Sequence, residues 1–314
     1  MHEPLKIAVI GAGAHSAENH LPALQRHAAE HPGEITLAGL CDLDIERAQA
    51  AAAKFGFAAA HGDWREMLER CAPGAVIAVT PSSITAHVAQ EIMRMGMPLL
   101  MEKPLGATIG EARAVAAAAL TCTAPVMVSM NRRFDPALRA GVALADDRPV
   151  TYLRATFARE RRDEPDFIEY TAIHVVDAVL SVLGDVAHAE IVTERRHGAP
   201  WYFLHLRFAA GGYAVIEVMP TAQCNAEAYE LTGSGYRVSA RSGWFDTGVV
   251  QLYEGNALVH EERIDPALPA WVRNGTLAET AAFIGAVRAG TRVSPIPAEV
   301  LNAVELCHTA ARRV

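Results

Sequence analysis

The sequence predicts an α/β fold, in which a doubly wound parallel sheet is followed by an α+β domain with a mostly antiparallel, open sheet. Up to about Asn131, apolar runs alternate with alanine-rich amphipathic stretches, a pattern typical of parallel strands joined by helices. After Pro136, short strand-like runs follow one another with turn residues such as Gly211 and Gly212 between them, a pattern typical of hairpins. We expect domains at 1–131 and 132–314.

The first domain is assigned from the period of its apolar residues. Runs that are wholly apolar predict buried strands, and stretches with apolar residues three and four apart predict amphipathic helices. The strands are expected at 5–10, 35–41, 75–80, 98–101 and 125–129, and the helices at 17–29, 44–54, 84–96 and 108–119.

The second domain is assigned from short runs that turn residues separate. The strands are expected at 151–157, 189–194, 201–208, 213–219, 228–232, 249–253 and 258–262. Helices are expected at 167–183, 276–289 and 297–312, the last beginning after a proline pair. Since the strands exceed what three helices can cover, we expect the open sheet to pair with another subunit as a homodimer or homotetramer.

Composition limits the function classes. With 314 residues, 51% of them hydrophobic, the chain can bury the cores of two domains. A net charge of -8 without a basic stripe argues against nucleic acid or a membrane surface as partner, so a small-molecule substrate is expected. The first strand begins too early for a signal sequence, and five scattered cysteines indicate reduced thiols. We therefore expect a cytoplasmic protein.

A glycine-rich turn follows the first strand. Gly11 permits a tight turn, and Gly13 lets the backbone approach a dinucleotide pyrophosphate. The next helix offers its N-terminal amides to the phosphates, so Ala14 and His15 are further candidate cofactor contacts. Ser16 stands where a third glycine is usual, and its small side chain still permits close packing of helix and strand.

The second predicted strand ends at a carboxylate. Asp42 can accept hydrogen bonds from the adenosine ribose hydroxyls and would repel a 2′-phosphate, so NAD is expected as the cofactor. Arg47 on the next helix leaves NADP possible. The structural alternative for Asp42 is a helix cap ahead of Asp44.

An ionisable pair, Glu102-Lys103, interrupts the chain where a buried strand should give way to a helix, and Pro104 follows it. The carboxyl ends of strands in open α/β sheets are where ligands bind, which favours a chemical role over a solvated surface lysine. An ammonium there can stabilise a developing alkoxide or relay its proton, with Glu102 orienting the lysine.

The order of these motifs resembles the glucose-fructose oxidoreductase, inositol dehydrogenase and rhizopine-catabolism (Gfo/Idh/MocA) family. The matching positions are Gly11-Ala12-Gly13, Asp42, Thr80-Pro81 with His87, Glu102-Lys103-Pro104, Asn131-Arg132-Arg133-Phe134, and His174 with Asp177. The resemblance covers nearly the whole chain. It implies an N-terminal Rossmann domain, an oligomer-forming C-terminal domain, and hydride transfer at a sugar-like or cyclitol carbon.

The resemblance also implies site residues. Lys103 matches the family lysine that reaches the substrate hydroxyl and the nicotinamide, and His174 matches a histidine able to exchange a proton with the substrate. Where many family polyol dehydrogenases have an aspartate, four residues before that histidine, this chain has Tyr170. Tyr170 replaces the acid, or His174 works with Lys103 alone, or turnover has been lost; Asp166 is a possible substitute carboxylate.

Other polar residues are candidates for binding. Thr80 and Pro81 are expected to line the cofactor site, and Glu102 and Lys103 to reach it. Arg132 at the domain junction is expected either to contact the substrate or to form an interdomain salt bridge. Arginines of the charged segment 159–164 could recognise an acidic substituent.

No metal site is expected. His15 and His20 are five residues apart, which does not place both on one face of an α-helix, and no acidic residue nearby in the sequence completes a ligand set. The expected function is an NAD(P)-dependent dehydrogenase or reductase acting on a sugar, cyclitol or related secondary alcohol or ketone. Two alternatives stay open: a dinucleotide-binding sensor without turnover, and an enzyme for a non-sugar such as a dihydrodiol or imine.

Overall fold

The computed structural model describes residues 3–145, 148–245 and 247–313. The chain divides into two compact units, the first formed by 1–129 and 276–301 and the second by 130–275 and 302–314. The predicted domain limits of 1–131 and 132–314 stay a prediction.

The first unit contains a parallel sheet. Its strands are β1 (Leu5–Ile10), β2 (Ile35–Cys41), β3 (Ala60–His61), β4 (Ala75–Ala78), β5 (Leu99–Glu102) and β6 (Val126–Ser129). They are arranged in the order β3-β2-β1-β4-β5-β6, so the chain reverses direction across the sheet between β1 and β4. This is the doubly wound Rossmann order, and the predicted fold class is confirmed.

Helices connect these strands. A π-helix covers Ser16–His20 and continues into α1 (Leu21–Glu30), followed by α2 (Ile45–Phe55), α3 (Trp64–Cys71), α4 (Ser82–Arg94) and α5 (Ile109–Thr121). Side chains cap several N-termini: Asp44 accepts from Arg47 N, and Thr108 with Glu111 forms a reciprocal capping box. The sequence prediction missed β3 because only two residues form it, and it missed α3 because half of the residues of that helix are charged.

The second unit contains a mixed sheet of eight strands. They are β7 (Tyr152–Ala158), β8 (Val186–Arg196), β9 (Ala199–Phe208), β10 (Tyr213–Met219), β11 (Ala226–Gly233), β12 (Tyr236–Arg241), β13 (Val249–Glu254) and β14 (Ala257–Arg263). Their order is β14-β13-β12-β11-β7-β10-β9-β8, and only the pair of β7 and β10 is parallel among the pairs of this sheet that the structure describes. The mostly antiparallel sheet is confirmed.

The remaining helices are a short 3-10 helix (Asn131–Phe134), α6 (Pro136–Ala145), α7 (Phe167–Tyr170), α8 (Ile173–Leu183), α9 (Ala270–Arg273), α10 (Thr276–Ala289) and α11 (Pro297–Ala311). Helices α6 and α8 pack on the sheet of the second unit. Within the described ranges, no helix has both the length and the apolar character that crossing a bilayer requires.

Two helix predictions in the second half differ from the structure. The single helix expected at 167–183 is two helices, because the amides of Thr171 and Ala172 both bond to the carbonyl of Phe167 and end the first of them. Helix α6 was missed although Asp135 caps it, accepting from the amides of Ala137 and Leu138. Strand β12 was also missed, although its residues alternate between buried and partly or fully exposed positions.

Candidate cofactor and active site

The turn after β1 requires a glycine for reasons internal to the chain. Gly11 has a φ of 102°, and a Cβ placed on it would lie 2.0 Å from the carbonyl oxygen of Val79. Its amide donates to the carbonyl of Cys41 at 2.7 Å, and the amide of Val79 donates to Ile10. Any side chain at Gly11 would therefore collide with the chain that leaves β4.

At position 13, in contrast, packing within the protein does not require a glycine. A Cβ on Gly13 would meet no described atom within 4 Å, so the space beside it is available to a ligand. Ser16, in the place of a third glycine, is completely buried, which agrees with the predicted close packing. The helix after the turn opens as the π-helix Ser16–His20, not as the α-helix expected from residue 17.

A cavity of about 550 Å³ lies over this turn, wholly within the first unit. All the predicted cofactor residues line it: Gly11, Gly13, Ala14, His15, Asp42, Thr80, Pro81, Glu102 and Lys103. They come from the ends of β1, β2, β4 and β5, the carboxyl edge where open α/β sheets bind ligands. Contact of each residue with a cofactor stays a prediction.

Apolar side chains form part of the same cavity, and the sequence analysis did not find them. Leu43 is 90% exposed and Ile84 is 41% exposed, and both line the cavity with Trp64 and Val88. Large exposed apolar residues grouped in a concave site are typical of ligand contacts. The available signal was the position of Leu43, directly after Asp42.

Asp42 joins the glycine turn to the second strand. Its Oδ2 accepts from the amide of Ala12 at 2.8 Å, and its Oδ1 accepts from Arg47 at 2.6 Å and from the amide of Asp44. Burial acts to raise the pKa of Asp42, but these hydrogen bonds lower it overall. Asp44, not Asp42, caps α2.

Glu102 and Lys103 lie at the end of β5. Glu102 is 6% exposed, and its Oε2 accepts from the backbone amide of Lys103 at 3.0 Å. The Lys103–Pro104 peptide bond is cis. The ammonium-bearing Lys103 thus extends from the same strand end as a buried carboxylate and lines the cavity.

Two histidines converge on that carboxylate. The Nε2 atoms of His15 and His20 lie 3.0 Å and 2.8 Å from Glu102 Oε1. The argument from spacing was wrong, because the intervening turn is a π-helix, whose i to i+5 repeat brings residues five apart onto one face. Glu102, distant in sequence, supplies the acid that the sequence analysis did not find.

The contacts within this cluster shift the pKa values of Glu102 and His15. Burial acts to raise the pKa of Glu102, but the charge of His15 and hydrogen bonds from both histidines hold it well below its ordinary value. In return, the charge of Glu102 raises the pKa of His15. Donor atoms of His15, His20 and Glu102 lie within 4.8 Å of one another, as do those of His27, His31 and Glu34. That the protein binds no metal stays a prediction.

The other predicted catalytic residues lie in the second unit. Tyr170 ends α7, His174 lies in the first turn of α8, and both are partly exposed. Asp166, one turn before Tyr170, is exposed, and Oε1 of Glu169 lies 2.9 Å from Nδ1 of His308. The roles of Tyr170 and His174 stay predictions.

The arginines near the predicted junction have partners within the second unit. Arg132 forms a bidentate pair with buried Glu227, which also accepts from Arg159, and Arg133 forms a bidentate pair with Asp177. Arg132 is 3% exposed and lies over the ring of Trp244. Substrate contact by Arg132 stays a prediction, and the structure gives its guanidinium a structural partner.

The match to a family model covers residues 5–130, and that model is described as an oxidoreductase family with an NAD-binding Rossmann fold. Over these residues the chain matches the Gfo/Idh/MocA family. The predicted family is confirmed, and with it NAD as the type of cofactor.

Known proteins match between 62% and 95% of the chain in the three comparisons that follow. D-apiose dehydrogenase of Paraburkholderia graminis is 30% identical over 207 residues, 62% of this chain and 54% of that protein. Inositol 2-dehydrogenase 1 of Paenarthrobacter aurescens is 27% identical, covering 82% of this chain and 76% of that protein. A 4-carboxy-2-hydroxymuconate-6-semialdehyde dehydrogenase of a Sphingobium species is 24% identical, covering 95% of each chain.

Solved structures share the fold. A dehydrogenase from Chromobacterium violaceum superposes with a TM-score of 0.86 at 19% identity, covering 99% of this chain and 96% of that chain. Levoglucosan dehydrogenase, solved with NADH and L-sorbose, superposes with a TM-score of 0.83 at 19% identity, covering 99% and 98%.

The position of Asp42 generates a test of cofactor choice. We expect NADH to bind more tightly than NADPH by about 1.5–3 kcal/mol, because a charged acceptor meets the ribose diol. Asp42→Ala should narrow or reverse this preference, since it frees Arg47 to meet a 2′-phosphate. Calorimetric titration of both cofactors measures the difference.

A double variant distinguishes the effect of Asp42 from that of Arg47. In Asp42→Ala/Arg47→Gln the gain in NADPH affinity should disappear, and a thermal melt checks that losing the bond to Ala12 leaves the fold intact. Equal affinities of the wild type for both cofactors would contradict the role of Asp42 as a selector.

Proposed function

We propose that the protein is an NAD(P)-dependent oxidoreductase that transfers a hydride between the nicotinamide and a sugar, a cyclitol or a related secondary alcohol or ketone. The observation that carries the proposal is the single cavity in which the glycine turn, Asp42 and Lys103 meet. The names of the two relatives that act on D-apiose and inositol support this substrate class.

The residues of the first unit would bind the cofactor. The open space at Gly13 would accommodate the pyrophosphate, Asp42 would accept from the adenosine ribose, and Leu43 and Ile84 would contact the apolar surface of the adenine. When bound, the nicotinamide supplies the hydride acceptor or donor. Lys103, at the end of β5, would extend toward the reacting carbon of the substrate.

Lys103 and residues of the second unit would carry out the proton transfer. Oxidation of a secondary alcohol removes a hydride from carbon and a proton from oxygen. Lys103 would stabilise the developing alkoxide with its positive charge, and His174 would accept the proton, with Tyr170 as the alternative relay. In the reverse direction the same groups return the proton to the ketone oxygen.

A non-sugar substrate is the second candidate. The relative that covers 95% of this chain is named for a carboxylated semialdehyde. Arg161 and Arg162, on the irregular segment after β7, are exposed and carry the charge that an acidic substrate would need, although they also pair with Asp163 and Glu164. A cytoplasmic location likewise stays a prediction, supported by five free cysteines.

We also propose that the protein forms a homodimer or homotetramer through the sheet of the second unit. Helices α6 and α8 pack on this sheet, and its strands present partly exposed side chains between buried ones, such as Phe203, Val215 and Tyr253. At the edge, Leu258 and Val259 are 48% and 50% exposed. A second copy of the chain would cover this surface.

The catalytic proposal predicts a division between chemistry and binding. Lys103→Met keeps the aliphatic bulk and removes the ammonium, so hydride transfer should fall by at least ~100-fold while NADH affinity changes little. Stopped-flow measurement of NADH absorbance gives the rate, and titration of NADH fluorescence gives the affinity. Lys54→Met, on the exposed face of α2, is the matched control.

Two further variants identify the residue that accepts the proton from the substrate. If Tyr170 replaces the acid, Tyr170→Phe should lower turnover nearly as much as Lys103→Met; if His174 acts, His174→Ala should be the damaging change. Wild-type turnover in Lys103→Met would refute the role of that residue. Firm NADH binding without turnover on a broad panel of sugars, cyclitols, ketones and semialdehydes would favour the sensor.

The oligomer proposal predicts a mass of at least twice the 33.7 kDa of one chain in light scattering at micromolar concentration. Val215→Lys should lower that mass because it places a charge on the proposed contact, while Leu120→Lys, at an exposed position of α5, should not. A monomeric wild type would contradict the proposal.

A further inference from the structure

His15 occupies a position at which a cation would meet the cofactor. It follows the glycine turn directly and lines the cavity. Its side chain is 53% exposed, whereas the side chain of Glu102, which lies 3.0 Å from its Nε2, is buried. The imidazole therefore has Nε2 on a buried carboxylate, its Nδ1 lies 3.4 Å from Nδ2 of Asn19, and the residue lines the same cavity as Gly13.

We propose that His15 contacts the cofactor pyrophosphate in its protonated form, so that the protonation of this one histidine sets the affinity for NAD(H). The inference rests on NAD binding by the family and on the cavity, and it is independent of the substrate. It assigns His15 a task that a structural hydrogen bond to Glu102 alone does not require.

His20 cannot perform this task, although it binds the same oxygen. Its side chain is 1% exposed, and its Nδ1 has no hydrogen-bond partner among the described residues. The lining of the cavity includes His15 and does not include His20. Of the two, His15 is the histidine that is exposed at the cavity.

The charges around His15 determine the direction of the effect. Glu102 and Glu18 favour its protonated form and Lys103 opposes it, with Glu102 contributing most, so its pKa is raised. His20 meets its ring edge to face at 5.6 Å. Helix α10 packs against the same π-helix, and its charged residues have their own partners: Glu279 accepts from Ser129, and Arg288 pairs with Glu34.

Deprotonation would weaken cofactor binding in two ways. It removes a cation from the glycine turn, and it leaves the charge of Glu102 less compensated beside an anionic ligand. Because the pKa of His15 lies above that of an ordinary histidine, affinity should be fully present at low pH and fall as pH rises through this raised value. Binding of NADH should correspondingly take up a proton within that window.

The experiment is calorimetric titration of NADH into the protein between about pH 6 and pH 9, the range around histidine titration. A chelator in all buffers excludes metal ions. The wild-type Kd should rise by about fivefold across the range, which corresponds to ~1 kcal/mol for a half-exposed ionic contact. Paired buffers of different ionisation enthalpy should report proton uptake in the middle of the range.

Variants at the same position give opposite expectations. His15→Gln should bind NADH at all pH values with the weaker affinity that the wild type has at high pH. His15→Arg carries a permanent charge and should keep the stronger affinity across the range. His87→Gln, which removes an exposed histidine paired with Glu91 on α4, is the matched control and should keep the wild-type pH dependence.

The outcomes decide the proposal. A flat His15→Gln profile together with a flat, tighter His15→Arg profile supports it, and thermal melts establish that both variants are folded. A wild-type Kd that does not change with pH overturns it. An unchanged pH dependence in either His15 variant also overturns it, because the titrating group would then lie elsewhere.

Discussion

The site depends on the close approach of two chain segments at the point where the parallel sheet reverses its strand order. The turn after β1 passes so near the chain leaving β4 that a Cβ on Gly11 would lie 2.0 Å from the carbonyl of Val79. The crevice in which the ends of β1, β2, β4 and β5 meet lies at this reversal of strand order. Gly11, Asp42, Thr80 and Glu102 each lie at one of those strand ends or within two residues of it.

A buried carboxylate links cofactor binding to the catalytic strand. Glu102 accepts hydrogen bonds from His15 and His20 on one oxygen and from the amide of Lys103 on the other. The side chain that precedes the proposed catalytic lysine therefore fixes the start of the π-helix after the glycine turn. An uncompensated buried anion is costly, so its ionised form depends on the charge of His15 and on both imidazole hydrogen bonds.

Much of this arrangement could be predicted from the sequence, because local patterns determine it. The spacing of apolar residues along the chain predicted both sheets. Gly11, Asp42 and Lys103 each follow a predicted strand, and because parallel strands share one carboxyl edge, this was sufficient to place them together. Strand β3 is too short for any period, and α6 contains Gly141, which packs against Ala240 of β12 and lowers helix propensity.

The histidine cluster could not be predicted by the same means. The spacing of His15 and His20 was judged on an α-helical repeat, and the π-helix changes which residues share a face. Their partner Glu102 is distant in sequence, so its contact with them follows from the tertiary fold. Likewise, Arg132 and Arg159 both pair with Glu227, and no local sequence pattern connects Glu227 to either arginine.

The affinity of Gly13→Ala for NADH tests the central claim most directly. Because a Cβ on Gly13 meets no described atom within 4 Å, the variant should fold with an unchanged melting temperature. If the pyrophosphate occupies that space, the added methyl should weaken NADH binding by at least about tenfold, or ~1.4 kcal/mol. NADH affinity equal to that of the wild type would contradict the placement of the cofactor on the glycine turn.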